Sequence, residues 1–149
     1  MMLMKAKNIV LSRLLPKTGQ IISYRAGDDG TYQAGWWRGL LNENNKERFI
    51  HIGSGENTLT KDLATGLMWP ADGESAGCND GSICGWEGAI IVANALDFAG
   101  FSDWRLPNVR ELMSIVDYGR VNPTIDLAKF PDTHGSWYWS STMYKALTT

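Results

Sequence analysis

Two hydrophobic patterns follow one another along this chain, and their order is what most constrains its fold. Between residues 20 and 70, short apolar runs are separated by glycine-rich turns, a pattern that predicts short strands and hairpins. Helical periodicity begins only after residue 85. Because strands come first and helices later, without alternation, the sequence predicts an α+β fold and not a parallel α/β sheet. The predicted strands lie at 21–24, 31–37, 49–52, 58–62 and 67–69.

Both helical segments are predicted to be amphipathic. The first, over 86–99, gathers apolar residues on one face, and we expect Gly100 to end it in a left-handed conformation. The second begins at Asn108, whose side chain should form a capping box with Glu111, and it should end by Gly119. The stretches 71–85 and 120–135 are predicted loops, and 136–144 is a last predicted strand.

Length and charge narrow the class of protein. A chain of 149 residues with 44% hydrophobic residues can hold one domain with a real core. Its 14 basic and 16 acidic residues leave a net charge of -2, which does not favour nucleic-acid binding. No apolar run approaches the roughly 18 residues of a membrane span. Ser12 and Arg13 interrupt the first apolar run, so we recognise no signal peptide, and we expect an N-terminal arm over 1–14 and one domain over 15–149.

Aromatic residues are abundant, with seven Trp, five Tyr and four Phe. A domain of this size need not bury so many rings, and surface aromatics are common in binding sites. In the run 137–144, strand alternation would place Trp137 and Trp139 on one face and Tyr138 with Ser140 on the other. One face should be core and the other should bind sugar or peptide, although a buried second face is the alternative. The predicted ligand-binding residues are Trp137, Tyr138, Trp139, Ser140, Ser141 and Tyr144.

The cysteine and histidine inventory argues against an enzyme. Cys78 and Cys84 share one glycine-rich loop, so we expect a disulfide, with two free thiols in a reducing compartment as the alternative. Their spacing does not suit a zinc site. His51 and His134 have no nucleophile at an informative spacing, so we expect no catalytic residues.

Three carboxylate-rich turns could supply oxygen ligands to calcium. They are Asp28-Asp29, Asp72 to Glu74, and Asn79-Asp80. None follows the spacing of a calcium-binding loop, and ordinary turn chemistry is the favoured interpretation. We therefore expect no cofactor and no other metal, with calcium as the alternative.

The segment SDWRLP at 102–107 is interpreted as structural. Arg105 is expected to be buried or stacked beside Trp104, with Asp103 as its partner, and an anion contact is the alternative. Trp104 is assigned to the core. The full set of predicted structural residues is Trp69, Asp103, Trp104, Arg105, Pro107 and Glu111.

Several ordered motifs carry a family resemblance. They are LPKTGQ at 15–20, RFIHIGSGENTLTKDLATGLMW at 48–69, SDWRLP with the following REL at 110–112, and WSST at 139–142. With these motifs the chain resembles the C-terminal domain of the Legionella collagen-like adhesin, a domain of unknown function.

The resemblance implies a C-type-lectin-like fold with short antiparallel strands. Its wider relatives are the formylglycine-generating enzyme group and the variable proteins of diversity-generating retroelements, which are mostly extracellular binders. Members of the family usually continue past WSST with further strands, so we expect the domain to lack its closing C-terminal strands. Such a chain should self-associate through an exposed edge at 136–144 or be marginally stable.

The favoured function is a ligand-binding module of a bacterial secreted or cell-surface protein, of adhesin or receptor type. Its expected partner is a carbohydrate or a protein. An oligomerisation domain and a retroelement variable protein are the alternatives, and an enzyme of the formylglycine-generating type is disfavoured because no late cysteine pair is present. Sulfated polymers are a poor match, because Lys46, Arg48 and Lys61 make only a thin basic patch.

Overall fold

A three-stranded antiparallel sheet lies at the centre of the computed structural model, which describes residues 16–33, 35, 47–78 and 84–143. Its order is β1-β2-β3, so the strands follow one another as a meander. The strands are β1 (Phe49–Ile52), β2 (Leu59–Asp62) and β3 (Met68–Pro70). These three strands were predicted from the alternation of apolar runs and turns, and the α+β class is confirmed. The predicted arm over 1–14 lies outside the described residues.

Within the described residues, three helices accompany the sheet. They are α1 (Asp29–Tyr32), α2 (Trp86–Ala95) and α3 (Val109–Ser114), and a 3-10 turn (Gly55–Asn57) joins β1 to β2. Helix α1 occupies part of the predicted strand 31–37, because the Asp28 side chain accepts a hydrogen bond from the Thr31 amide and caps it. The predicted strand 21–24 is also wrong, since these residues form bends around the same Asp28 side chain.

Helix α2 ends four residues earlier than predicted, because Phe98 is required by the core. Phe98 and Phe101 exchange backbone hydrogen bonds across a tight turn in which Ala99 and Gly100 both have positive φ. Gly100 therefore serves this turn and not the helix end. The turn buries the Phe98 side chain against Leu59.

The predicted strand at 136–144 is not formed over its described part, 136–143. The Ser140 carbonyl accepts from the Trp86 indole, and the Ser141 amide donates to the Pro107 carbonyl. Residues 136–143 pair with no described strand. The strand edge expected there is therefore absent from residues 136–143, and self-association of the chain stays a prediction. Among the described strands, the sheet edges belong to β1 and β3.

The two faces of the sheet pack against different parts of the chain. Neighbouring residues of a strand point to opposite faces, so Leu59 and Thr60 mark the two sides. Leu59 packs with Phe98 and Ala76, and the half-buried Trp104 joins this cluster. On the other face, the buried residues are Phe49, Ile125 and Phe130, with Trp69 and Ile115 packed against them. Trp69 and Trp104 thus lie against opposite faces of one sheet.

A buried ion pair joins the sheet to α3. Arg48 and Asp62 are 2% and 0% exposed, and the guanidinium donates from Nε to Oδ1 at 2.9 Å and from Nη2 to Oδ2 at 2.6 Å. The same Nη2 donates to the Ser114 carbonyl at the end of α3. Asp62 also accepts hydrogen bonds from the Ala64 amide and the Thr65 hydroxyl. Arg48 is therefore internal and cannot belong to the basic surface patch considered above.

A second ion pair stabilises the start of α3. The Arg105 guanidinium donates to both Glu111 carboxylate oxygens, at 2.8 and 2.6 Å, while its side chain stays 55% exposed. Glu111 also accepts from the Asn108 amide, and Asn108 accepts from the Glu111 amide, so the predicted capping box is confirmed. The expected pairing of Arg105 with Asp103 is wrong, because Glu111, in the first turn of α3, takes both guanidinium hydrogen bonds. The expected burial of Arg105 is also wrong, because this pair lies at the surface.

Replacing Asp62 by Asn should strongly destabilise the fold. The change keeps the shape of the side chain and leaves the Arg48 charge buried without a counter-ion. Removing one partner of a buried pair costs about 3–5 kcal/mol. We expect urea unfolding to show a loss of that order for Asp62→Asn, whereas Arg105→Gln, at the exposed pair, should lose about 1 kcal/mol or less. A loss below about 1 kcal/mol for Asp62→Asn would contradict this role.

Glu111 should titrate well below other glutamates. Hydrogen bonds from Arg105, opposed by partial desolvation and helped by the Asn108 amide, lower its pKa from 4.5 to about 2. A carboxyl whose pKa is lowered by folding stabilises the fold above its ordinary pKa, and that contribution is lost as pH falls from about 4.5 towards 2. NMR titration of the Glu111 carboxyl carbon should give a midpoint near 2 and a higher one in Arg105→Gln. Equal midpoints in the two proteins would refute the assignment.

Candidate functional site

The residues Trp137 to Met143, here called the aromatic segment, are fastened to the start of α2 by two indole groups. Trp86 Nε1 donates to the Ser140 carbonyl at 2.8 Å. In return, Trp139 Nε1 donates to the Cys84 carbonyl at 2.9 Å. Each tryptophan thus bonds to the backbone beside the other. This reciprocal pair fixes the middle of the segment against the residues that lead into α2.

The same segment is bonded to the start of α3. The Ser141 amide donates to the Pro107 carbonyl at 2.8 Å, and the Val109 amide donates to the Thr142 hydroxyl at 3.0 Å. Val109 is the first residue of α3, where a helix amide has no partner within the helix. Thr142 therefore acts as an additional cap. These bonds link the two motifs, because Ser141 of WSST bonds to Pro107 of SDWRLP and Thr142 bonds to Val109 just beyond it.

Three aromatic side chains of this segment remain open to solvent. Trp137, Tyr138 and Trp139 are 99%, 53% and 51% exposed. The Tyr138 hydroxyl donates to the His134 carbonyl at 2.8 Å, so Tyr138 and Trp139 are both held by their polar atoms while about half of each residue faces water. The strand-based division of these rings between a core face and a binding face is wrong, because no strand forms and all three are exposed.

Of the other predicted ligand-binding residues, Ser140 and Ser141 make hydrogen bonds through their backbone atoms. Ser140 is half-buried and contributes its carbonyl to Trp86, while Ser141 is exposed and contributes its amide to Pro107. Tyr144 lies outside the described residues. Residues Trp137 to Ser141 thus lie at one surface, across the starts of α2 and α3.

A second concave feature, which sequence analysis missed, runs along β3. It is a cleft of about 410 Å³ between β3, the end of α2 and residues 101–107, here called the β3 cleft. Its walls are mostly apolar, and three charged residues lie among its lining: Asp103, Arg105 and Glu111. No local motif encodes this cleft, because its walls come from segments far apart in sequence. The only sequence signal is the apolar run Leu67-Met68-Trp69-Pro70 at the end of a predicted meander.

The predicted disulfide is not formed, and Cys78 and Cys84 are both free thiols in the structure. Cys78 ends a turn, where its amide donates to the Gly73 carbonyl, and it lines the β3 cleft. Cys84 is held at the start of α2 through its bond from Trp139. The two residues are thus fixed by separate elements. Burial of the Cys78 thiol, together with the nearby Asp72 carboxylate, raises its pKa.

The carboxylate-rich turns use their oxygens for local hydrogen bonds. Asp28 accepts from the amides of Tyr24, Arg25 and Thr31, and Asp72 accepts from those of Glu74 and Ser75. Desolvation works against ionisation of Asp28, yet these bonds lower its pKa overall. Asn79 and Asp80 lie outside the described residues. Within 16–33, 35, 47–78 and 84–143, no three potential metal ligands come together.

Two further observations concern histidine and membrane spans. His51 Nε2 lies 3.1 Å from the Lys129 carbonyl, on the sheet face where the Thr60 hydroxyl donates to the same oxygen. His134 is exposed, and its carbonyl supports Tyr138. Across the described part of the chain, no helix has the length and apolar character needed to cross a bilayer.

Comparison with known proteins places the chain in a family. The family model of the Lcl C-terminal domain matches residues 58–149, which is more than half of the chain and includes the SDWRLP and WSST motifs. No curated protein and no solved structure matched the chain significantly. The resemblance drawn from the motifs is confirmed over this range. The chain therefore belongs to the Lcl C-terminal domain family, which is consistent with a domain of a bacterial surface protein.

Proposed function

We propose that this domain is a carbohydrate-binding, lectin-like module of a bacterial secreted or cell-surface protein, and that the aromatic segment is its recognition surface. The observation that carries the proposal is the arrangement of Tyr138 and Trp139, whose polar atoms are bonded to backbone carbonyls while the residues stay about half exposed. Family membership supports the surface location. The antiparallel sheet with its two longer helices is compatible with a lectin-like fold.

Fixed aromatic rings suit sugar ligands for a physical reason. A sugar ring has a face of C–H groups that packs on an aromatic ring, and hydroxyls that need hydrogen-bond partners at its edge. Because Tyr138 and Trp139 are already tethered, binding would cost little side-chain entropy. Trp137, at 99% exposure, adds a ring that contributes nothing to the core.

The charge of the domain narrows the class of sugar. Net charge is -2, and Arg48, one of the three residues of the thin basic patch, is buried in its pair with Asp62. A sulfated polymer needs clustered exposed cations. We therefore favour a neutral carbohydrate. No catalytic step is part of the proposal, since His51 and His134 are assigned to backbone contacts and an exposed turn.

Trp137→Ala should weaken carbohydrate binding without affecting stability. Loss of one stacked ring is worth about 1–1.5 kcal/mol, or roughly tenfold in affinity. The ligand is first found on an array of neutral and sulfated glycans, and affinities are then measured by calorimetry. Tyr24→Ala is the matched control, because Tyr24 is 82% exposed and lies outside the aromatic segment. Both variants should unfold at the temperature of the parent protein.

Three outcomes would count against the proposal. One is equal affinity of Trp137→Ala and Tyr24→Ala for the glycan. Another is retention of sulfated glycans in preference to neutral ones, which would contradict the charge argument. The third is that no glycan is retained on the array, while a protein ligand binds and Trp137→Ala abolishes that binding. The aromatic segment would then be a recognition surface for protein and not for carbohydrate.

A further inference from the structure

The outer edge of β3 is an unpaired strand edge that lines the β3 cleft. Strand β3 pairs with β2 in the register Thr60↔Trp69, and the flanking bonds run from the Asp62 amide to the Leu67 carbonyl and from the Ala71 amide to the Thr58 carbonyl. In an antiparallel ladder, every second residue directs its backbone N–H and C=O to the neighbouring strand. The backbone groups of Trp69 therefore face β2. The backbone groups of Met68 and the carbonyl of Pro70 therefore face away from β2. No other described strand pairs with them.

The cleft beside this edge has the lining that an added strand requires. Leu96 and Trp104, which pack against the cluster around Leu59, bound the cleft on one side. Leu106 and Pro107 supply further apolar surface. Its volume, about 410 Å³, is large enough for several side chains. A peptide in extended conformation places alternate side chains on opposite sides, which matches a slot with apolar surface around a strand edge.

Charge at the cleft favours a basic peptide. Arg105 and Glu111 neutralise one another through two hydrogen bonds. Asp103 is exposed and makes no ion pair with any described residue. The lining thus has a net charge of about -1 at neutral pH.

We propose that the β3 cleft binds an extended peptide of a partner protein, with apolar side chains at alternate positions and a Lys or Arg placed near Asp103. The peptide adds to the outer edge of β3, where Met68 supplies one donor and one acceptor and Pro70 supplies one acceptor. Because Pro70 has no N–H, the added ladder is short, and the apolar walls supply most of the affinity. This site is separate from the aromatic segment and does not depend on its carbohydrate ligand.

The experiment uses NMR titration of the full chain with three capped hexapeptides that alternate Val with Lys, Ser or Glu. We expect the Lys peptide to shift the Met68 amide, with affinity in the order Lys, Ser, Glu and at least a fivefold difference between Lys and Glu. Two versions of the Lys peptide, N-methylated at alternate positions, test the ladder. One should lose binding at least tenfold while the other retains it, because only one set of amides faces β3.

Two charge variants provide the matched comparison. Asp103→Lys should reverse the preference between the Lys and Glu peptides, while Glu56→Lys, at an exposed residue of the 3-10 turn, should leave it unchanged. Trp137→Ala should bind the peptides like the parent protein, which separates this site from the carbohydrate surface. The proposal is overturned if no peptide shifts the Met68 amide at millimolar concentration, or if both N-methylated peptides bind equally. It is also overturned if a chain ending at residue 143 gains the peptide binding that the full chain lacks, since residues 144–149 would then be the occupant.

Discussion

The bidentate pair of Arg48 and Asp62 is the interaction on which the rest of the structure depends. It joins the residue before β1 to the last residue of β2, and it reaches the end of α3 through the Ser114 carbonyl. The Leu63 amide closes the same network by donating to the Arg48 carbonyl. A buried charge pair is costly to desolvate, and here each partner is offset by several hydrogen bonds. The pair therefore specifies one relative placement of sheet and helix.

This placement reaches the aromatic segment through α3. The helix is only six residues long, so its end at Ser114 and its start at Val109 are less than two turns apart. At its start, Pro107 and Val109 hold the segment, while Trp86 and Trp139 hold it to α2. Exposed aromatic rings are costly in water and tend to collapse or aggregate. Tethering of their polar atoms keeps Tyr138 and Trp139 in defined positions despite their exposure.

The features that sequence reasoning predicted are those encoded by neighbouring residues. The three strands follow from apolar runs bounded by glycines, and the capping box follows from Asn108 and Glu111 at fixed spacing. The features that it missed depend on distant contacts. Helix α2 stops early because Phe98 is drawn into the core by Leu59, and Arg48 is buried because it pairs with Asp62, which lies on the neighbouring strand opposite Phe49. The strand predicted at 136–144 does not form over 136–143, and the binding role of Trp137 to Ser141 stays a prediction.

Native-state hydrogen exchange in increasing urea tests most directly whether the buried pair, α3 and the aromatic segment form one cooperative unit. The two amides to compare are Leu63, bonded to the Arg48 carbonyl, and Ser141, bonded to the Pro107 carbonyl. If the account is correct, their free energies of exchange converge on the same urea dependence, that of global unfolding. Contradiction would come from a Ser141 amide that exchanges through a low-energy, urea-independent opening while Leu63 remains protected.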